Sequence, residues 1–293
     1  MSSPFFSIVI PTYNRAAFLP KVIESFLQQR VQDFELIIVD DGSTDNTEEV
    51  VAPYLSEKIY YYKKENAERA AARNFGTQKA KGKYINWFDS DDYALNNHLE
   101  TALEFSANKD VFHLAYKHET PNFELLRNVD DLPSLINDCL YKGNILSCNG
   151  VFVKKEIALE NPFNEIRELS ASEDFELWLR LASNHTIYHQ NIITSVIVNH
   201  DQRSVLSMSS ADKLIERFTT FNLLIENNRG LKNYYSGKLN YLLMKNYLWL
   251  AVDLANNEHK KKSWRFLKLA LKKSKSALFQ RSFFATIKHL IIR

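Results

Sequence analysis

The sequence predicts an α/β protein with a mixed, mainly parallel sheet flanked by helices, followed by an all-helical C-terminal region. Over the first hundred residues, short apolar runs alternate with segments of helical periodicity, the pattern of βαβ units. From Ser210 onward no strand signal remains, and the chain shows three or four amphipathic helices. We therefore expect two domains, residues 1–205 with the sheet and residues 206–293 with the helices and a basic tail.

The first part of the chain supplies four strands, two helices and a further helix-start signal, Ser43 or Thr44 followed by Asp45, Glu48 and Glu49. The run FFSIVI is rich in strand-forming residues and stops at Pro11, and the run FELIIV stops at the turn Asp40–Ser43. Between these runs, apolar residues recur with the 3.6-residue period of a helix. The predicted strands are Phe5–Ile10, Phe34–Val39, Ile59–Tyr62 and Tyr84–Phe88, and the predicted helices are Ala17–Gln29 and Ala67–Ala80.

The middle of the chain has a mixed pattern of shorter signals. Apolar runs bounded by polar residues predict strands, and apolar residues at helical spacing predict helices. The predicted strands are Val111–Tyr116, Val151–Val153 and Ser195–Val198, and the predicted helices are Leu132–Tyr141 and Glu173–Ser183.

Composition indicates a globular protein of a reducing compartment. Of the 293 residues, 45% are hydrophobic and 25% charged, which suffices for a core that can organise a cleft. The only two cysteines, Cys139 and Cys148, are interpreted as free thiols. No basic segment followed by an apolar run opens the chain, and no stretch approaches the ~18 to 20 apolar residues of a membrane span. We expect a cytoplasmic protein.

The net charge is +2, but the charged residues are distributed unevenly along the chain. Eleven of the 37 basic residues fall within Lys260–Arg293, which has no acidic residue, and this leaves 26 against all 35 acidic residues in the rest of the chain. The tail also interleaves its cations with apolar residues, as helices that lie on anionic bilayers do. We expect either an anionic membrane surface as its partner or packing of the apolar residues on the domain. No nucleic-acid recognition module is present, so no nucleic-acid partner is expected.

Three polar clusters follow predicted strands directly. They are Pro11–Arg15 (PTYNR), Asp40–Ser43 (DDGS) and Asp89–Asp92 (DSDD). In parallel sheets, ligands bind outside the carboxyl ends of the strands. The three clusters are therefore expected to line one ligand cleft.

The cluster Asp89-Ser90-Asp91-Asp92 is the strongest candidate for a metal site. Several carboxylates at one strand end repel each other unless a cation neutralises them. Oxygen-rich sites suit Mn²⁺ or Mg²⁺, which bind one or two carboxylates together with substrate phosphates. The alternative is an acidic turn that caps the next helix.

Three further candidates each keep a structural alternative. Asp40–Ser43 forms either a turn with a helix cap or a carboxylate that binds a nucleobase. Glu173-Asp174 opens a predicted helix, where acids are favoured by the helix dipole and where a general base would also be suitable. His200 follows a predicted strand and is either structural or a metal ligand.

Other nucleotide-binding motifs are absent from the sequence. No Gly-x-Gly pair occurs, which excludes the dinucleotide fingerprint. The segment Gly76–Lys83 has five residues between its glycines where a phosphate loop needs four, and Tyr84 stands where that loop needs Ser or Thr. No nucleophile elbow or zinc-type Cys/His spacing occurs either.

In their order along the chain, four segments resemble the family 2 glycosyltransferases, which are inverting enzymes with the GT-A fold. The resemblance covers residues 5 to 200, and the four motifs in register are far more specific than any one of them. The matching segments are SIVIPTYNR (Ser7–Arg15), FELIIVDDGSTD (Phe34–Asp45), AARNFGTQKAKGKYINWFDSDD (Ala71–Asp92) and SEDFELWLR (Ser172–Arg180).

The resemblance implies a donor site on the first three segments. Asp41 would bind the nucleobase with Asp40 beside it, and Arg73 would approach the base or the phosphates. The triplet Asp89-Ser90-Asp91 matches the family's Asp-x-Asp motif, whose last Asp is the surer metal contact. The nucleotide cleft would be lined by Pro11, Thr12, Tyr13 and Arg15.

The resemblance also implies an acceptor side and a catalytic base. Asn149-Gly150 matches an acceptor-side loop, and Asp174 matches the catalytic base, with Glu173 as its neighbour and Trp178 near the acceptor. His200 fits a metal ligand on the C-terminal side.

The resemblance implies a metal-dependent transfer of a hexose or N-acetylhexosamine from a nucleoside-diphosphate sugar, by default a UDP-sugar. The acceptor would be a glycan or lipid-linked glycan of surface polysaccharide synthesis, with the protein attached peripherally to the inner face of the cell membrane. Two alternatives remain, a sugar-nucleotide nucleotidyltransferase and a non-catalytic scaffold subunit. The first would carry a Gly-rich basic loop after the first strand, where this chain has Pro11–Asn14.

Overall fold

The structure is a computed structural model that describes residues 3–128, 132–201 and 210–291. Within them, residues 3–137 with 145–201 form one compact unit, and residues 138–144 with 210–291 form another. The boundary expected between residues 205 and 206 lies outside the described residues, as do the last two residues of the basic tail.

Nine strands in the first unit form one mixed sheet, in agreement with the predicted fold class. Four neighbouring pairs are parallel (β3-β2, β2-β1, β1-β4 and β6-β9), and the others are antiparallel. The spatial order is β3-β2-β1-β4-β8-β6-β9-β5, and β7 pairs with β6. The strands are β1 (Phe6–Thr12), β2 (Phe34–Asp40), β3 (Ile59–Lys63), β4 (Tyr84–Trp87), β5 (Tyr93–Ala94), β6 (Val111–Glu119), β7 (Leu125–Asn128), β8 (Val151–Lys154) and β9 (Ile187–Val198).

Among the described residues, six α-helices belong to the first unit and five to the second. Those of the first are α1 (Leu19–Leu27), α2 (Thr47–Val51), α3 (Glu68–Lys79), α4 (His98–Phe105), α5 (Lys155–Glu160) and α6 (Glu173–Asn184). Those of the second are α7 (Ala211–Asn227), α8 (Arg229–Tyr235), α9 (Lys238–Asn256), α10 (Lys260–Lys273) and α11 (Arg281–Ile291).

The apolar runs form the core of the first unit because both faces of the central strands are covered. Every residue of β1 and β2 is buried, as their continuous hydrophobic sequences predict. Gly76 lets α3 lie close to the sheet, since a Cβ atom there would come within 2.3 Å of a Val9 methyl carbon. This close contact sets the position of the other α3 side chains, including Arg73.

The helix predicted at Leu132–Tyr141 is wrong. Leu135 forms an isolated bridge with Tyr188, and a 3₁₀ helix begins only at Asn137. The Asn137 amide donates to two carbonyl oxygens at the end of α6, Ala182 and His185, and accepts the N–H of Ile187. These tertiary bonds hold the segment beside β9 and outweigh its helical periodicity.

The C-terminal region is helical, as predicted, with five helices rather than three or four in residues 210–291. Helix α9 is its centre and packs against α7, α8, α10 and α11. Its buried residues recur from Leu239 to Ala255, so one wide apolar face is buried along the helix. Across the described ranges of the whole chain, no helix combines the length and the apolar character that crossing a bilayer requires.

A fully buried histidine in the first unit makes stability depend on pH. The Nδ1 atom of His98 lies 2.9 Å from the Thr194 hydroxyl oxygen, and Phe26 and Phe88 pack against the ring. Burial lowers the pKa of His98 from 6.5 to about 3. In the window between these values, the unfolded chain binds a proton at this residue and the folded protein does not.

We expect the free energy of unfolding to fall as the pH is lowered from 6.5 towards 3. One such histidine contributes a slope of about 1.4 kcal/mol per pH unit, so His98→Gln should flatten the pH dependence by about that amount. Urea unfolding across this range measures the slope. The variant His259→Gln, at an exposed position, is the control and should keep the wild-type slope. An unchanged slope in His98→Gln would contradict this account.

Candidate active site

The candidate site lies at the edge of the sheet where β1, β2, β4, β6 and β9 end. Thr12 pairs with Asp40 at the ends of β1 and β2, and Glu119 pairs with Val198 at the ends of β6 and β9. Strand β8 begins at this edge, at Val151, because it runs antiparallel to β4. The turns adjoining these strand ends therefore meet at one edge, as the three polar clusters predict.

The end of β1 and the segment after it place one buried and one exposed side chain beside the site. The Thr12 side chain is buried, and its hydroxyl has no hydrogen-bond partner among the described residues. Tyr13 is 48% exposed, although most large apolar side chains near it are buried. Asn14 adopts a left-handed backbone (φ 50°), and its side-chain oxygen accepts the N–H of Thr44 at 2.8 Å, which ties this segment to the turn after β2. Arg15 lies over the Phe18 ring.

Asp40 and Asp41 are both buried and both hydrogen-bonded. Asp40 accepts the N–H of Ser43 at 2.7 Å and the Tyr61 hydroxyl at 2.5 Å, so it stabilises its own turn. Burial and this bond to Asp40 raise the pKa of Tyr61. Asp41 accepts the N–H of Ala67 at 3.0 Å and forms an ion pair of 2.8 Å with Lys64. Asp40 therefore stabilises the turn itself. A nucleobase that bound Asp41 would share this carboxylate with the N–H of Ala67 and the ammonium group of Lys64.

Arg73 joins two parts of the site that are distant in sequence, the turn after β4 and the start of α6. Its guanidinium donates to Asp89 Oδ1 at 2.7 Å and to Glu173 Oε1 at 2.9 Å, and the side chain is almost fully buried. Burial alone would lower its pKa, but the acidic groups around it, Cys148 and Asp89 foremost, raise that pKa above its ordinary value. Arg73 is thus an internal bridge between the acidic turn and the start of α6.

Asp91 and His200 lie within hydrogen-bond distance of each other. Asp91 Oδ2 is 3.0 Å from His200 Nε2, and the His200 ring stacks on Phe18 with centroids 4.6 Å apart. Residues 3–128, 132–201 and 210–291 contain no group of three or more His, Cys, Asp or Glu side chains arranged around a metal. One carboxylate and one imidazole nevertheless fit an ion that completes its shell with water and substrate phosphates. Asp89 is instead engaged by Arg73.

Asn149 and Gly150 lie inside the loop that precedes β8 rather than on its surface. Asn149 is fully buried, and its side chain bonds to the backbone of Asp89 and to the carboxylate of Asp92. Gly150 has room for no side chain, because a Cβ atom would come within 2.3 Å of the Leu114 carbonyl oxygen. The acceptor-side loop of the resemblance therefore packs directly against the acidic turn.

Helix α6 begins with one buried and one partly exposed carboxylate. Glu173 is buried against Arg73, while Asp174 accepts the N–H of Phe175 at 2.7 Å and keeps part of its surface open. Trp178, expected near the acceptor, is fully buried and packs against Trp87 and Phe163 in the core, so it offers no surface to an acceptor.

Asp92 is the site residue whose role the sequence did not predict. One of its oxygens accepts the N–H of Val198 at 2.9 Å, and the other accepts from Asn149 at 2.8 Å. Both partners are distant in sequence, and no spacing rule distinguishes this carboxylate from its neighbours in the DSDD cluster. Only the pairing of strand ends identifies it.

We expect Arg73→Met to lower the free energy of unfolding by about 3–5 kcal/mol, because Asp89 loses its ion pair and the buried carboxylate of Glu173 keeps only the more distant Arg69, at 3.7 Å. Urea denaturation measures the loss. The double variant Arg73→Met with Glu173→Gln removes the uncompensated charge and should be the more stable of the two. Equal stability of the single variant and the wild type would show that the bridge contributes nothing.

Comparison with known proteins agrees with this geometry. The model of "Glycosyl transferase family 2" matches residues 7–148. A putative teichuronic acid biosynthesis glycosyltransferase, TuaG of Bacillus subtilis, is 30% identical over 64% of this chain and 76% of its own. An uncharacterized glycosyltransferase of Rickettsia bellii is 28% identical over 81% of this chain and 34% of its own. The chain spans about a third of the length of the first curated relatives it matches.

Solved structures share the fold. TarS of S. aureus in complex with UDP superposes with a TM-score of 0.69 at 19% identity, covering 98% of this chain and 89% of that one. A complex of TarS with UDP-GlcNAc gives 0.65 at 16% identity, covering 98% and 90%. The sequence motifs, the mixed sheet and these matches agree. This chain belongs to family 2 of the glycosyltransferases and has the GT-A fold.

Proposed function

We propose that this protein is an inverting glycosyltransferase that moves a sugar from a nucleoside-diphosphate sugar to an acceptor hydroxyl in surface glycan synthesis. The observation that carries the proposal is the Arg73 bridge, which holds the turn of Asp89–Asp92 next to the start of α6. A site for the leaving diphosphate and a candidate base are thereby brought to one strand edge. The family membership and the teichuronic acid relative support the same reaction class.

The donor nucleotide would bind across the ends of β1 and β2. The exposed ring of Tyr13 is available to it, and Asp41 would accept a hydrogen bond from the base. Pro11 and Arg15 flank the same cleft. UDP is the proposed nucleotide and a hexose or N-acetylhexosamine the proposed sugar, in line with the UDP and UDP-GlcNAc complexes of TarS.

Asp91 and His200 are the residues that would hold Mn²⁺ or Mg²⁺. Such an ion, when bound, stabilises the negative charge of a leaving diphosphate. The stacking of His200 on Phe18 keeps the imidazole turned towards Asp91. Asp89 would contribute through Arg73, which holds its carboxylate in place.

Asp174 would act as the general base of a single displacement. Its carboxylate takes the proton of the acceptor hydroxyl while the acceptor oxygen bonds to the anomeric carbon. The bond between that carbon and the diphosphate oxygen breaks, and the nucleoside diphosphate leaves with the electron pair. The proton on Asp174 then passes to water. One base and no nucleophile on the donor side gives inversion, as in inverting glycosidases.

The C-terminal unit carries a surface that fits an anionic membrane. Within residues 260–291, part of the apolar set is buried, but Phe279, Phe284 and Ile291 are 83%, 62% and 70% exposed. Lys262 and Lys273 form ion pairs, whereas the other cations described in this range have no acidic partner within salt-bridge distance among the described residues. A lipid-linked glycan acceptor at the inner face of the cell membrane would explain such a surface. Exposed cations with apolar side chains between them bind anionic bilayers.

We expect Asp174→Asn to lower turnover by about 100- to 10,000-fold, because it removes the proton acceptor. Release of UDP from UDP-sugars measures turnover, and calorimetric titration with UDP measures binding, which should be unchanged. Retained turnover would refute the assignment of the base.

The complementary variant is Asp91→Ala. It should remove the Mn²⁺-dependent part of UDP binding, whereas Asp174→Asn should retain it. Identical titrations of Asp91→Ala and the wild type with Mn²⁺ would count against Asp91 as a metal ligand.

We expect the full-length double variant Phe279→Ser with Phe284→Ser to bind anionic vesicles at least about tenfold more weakly, because each exposed ring contributes apolar area to membrane binding. Flotation with vesicles of phosphatidylglycerol and phosphatidylcholine, against phosphatidylcholine alone, measures this. The matched control is Leu223→Ser, an exposed apolar residue of α7 outside the basic segment. If the double variant and the control float equally with the vesicles, the membrane proposal is contradicted.

A further inference from the structure

The Asn149 side chain spans the acidic turn. Its Oδ1 atom accepts the backbone N–H of Asp89 at 2.9 Å, and its Nδ2 atom donates to Asp92 Oδ2 at 2.8 Å. The backbone oxygen of Asn149 also accepts from the amide of Asn86 at 2.9 Å. One fully buried amide therefore holds both ends of the turn that contains Asp91.

The chemistry of the partners determines the orientation of this amide. A backbone N–H can only donate, so the atom facing Asp89 must be the carbonyl oxygen of Asn149. The amino group then faces Asp92, and an ionised carboxylate can only accept. The arrangement is complementary in one orientation only, and it is inaccessible to water.

Asp92 extends the contact to the strand that leads to His200. Its Oδ1 atom accepts the N–H of Val198 at 2.9 Å, two residues before His200. The carboxylate is almost fully buried, so both hydrogen bonds offset its desolvation. Its two oxygens thus connect the loop before β8 with the end of β9.

We propose that Asn149 and Asp92 are positioning residues that together set Asp91 opposite His200. We name this pair the amide–carboxylate latch. The proposal rests on the proposed function, because Asp91 and His200 are the proposed metal ligands. Asp92 is thereby assigned to the support of the metal site rather than to its ligands, and Asn149 to the same support rather than to acceptor binding.

Each single exchange of amide and carboxylate breaks the latch. In Asp92→Asn, the new oxygen still accepts from Val198, but the new amino group faces the amino group of Asn149. In Asn149→Asp, one oxygen still accepts from Asp89, but the other faces the carboxylate of Asp92. The first places two donors in contact and the second two anions, both in a buried site.

The exchange of both residues restores the complementarity. In Asp92→Asn with Asn149→Asp, the carboxylate at 149 accepts from Asp89 and from the amide at 92. That amide keeps its oxygen on Val198. All three hydrogen bonds are regained. The bond between positions 92 and 149 now has its donor at 92 and its acceptor at 149, because the carboxylate has moved from position 92 to position 149. If Asp92 were a metal ligand, this exchange would not restore metal binding.

The test is Mn²⁺ binding to the four full-length proteins in the presence of UDP, followed by electron paramagnetic resonance of free Mn²⁺. We expect each single variant to bind Mn²⁺ about 10- to 100-fold more weakly, the usual effect of removing the support of a metal ligand. The exchanged pair should recover most of this loss. Wild-type affinity in Asp92→Asn, or an exchanged pair no better than the weaker single variant, would overturn the proposal.

Two controls separate a specific loss of Mn²⁺ affinity from a general loss of stability. Phe6→Leu, a core change at the opposite edge of the sheet, should lower the midpoint of thermal unfolding without changing Mn²⁺ affinity. Unfolding midpoints of the same four proteins without metal test the latch alone, and the exchanged pair should unfold above both single variants. If the wild-type protein binds no Mn²⁺, the metal site of the proposed function is contradicted. The unfolding midpoints would then show whether Asn149 and Asp92 still depend on each other.

Discussion

The buried guanidinium of Arg73 is the constraint on which the site depends. A cation removed from water requires charged partners, and Arg73 has two, Asp89 at 2.7 Å and Glu173 at 2.9 Å. These partners belong to the turn after β4 and to the start of α6. Their common cation determines the separation between the turn of the proposed metal ligand and the residue next to the proposed base. Close packing of α3 on β1 at Gly76 holds the guanidinium at that point.

Many features of the fold followed from local patterns. The strands near Phe34 and Tyr84 and the helices near Glu68 and Glu173 were predicted from apolar runs, periodicity and polar boundaries, and the family from four motifs in register. These features depend on residues that are close in sequence. The same reasoning failed at Leu132–Tyr141, where the Asn137 side chain forms three tertiary hydrogen bonds that no local pattern reports.

The roles of individual site residues were less predictable, for the same physical reason. Asp89, Asp91 and Asp92 are equivalent in sequence, yet one binds Arg73, one lies against His200 and one connects Asn149 with Val198. Sequence placed Trp178 near the acceptor, whereas packing against Trp87 buries it. Along the basic tail, periodicity predicted helices but could not tell which apolar residues remain exposed. A role set by a distant partner becomes visible only when the partner is in place.

In the proposed reaction, a diphosphate site and a base face each other across one strand edge. Anomalous diffraction from crystals of the full chain with Mn²⁺ and a UDP-sugar tests it most directly. We expect a manganese peak bounded by the Asp91 carboxylate and His200 Nε2. The Asp174 carboxylate should lie on the side of the anomeric carbon opposite to the diphosphate. A manganese peak away from Asp91, or an Asp174 carboxylate that points away from the sugar, would contradict it.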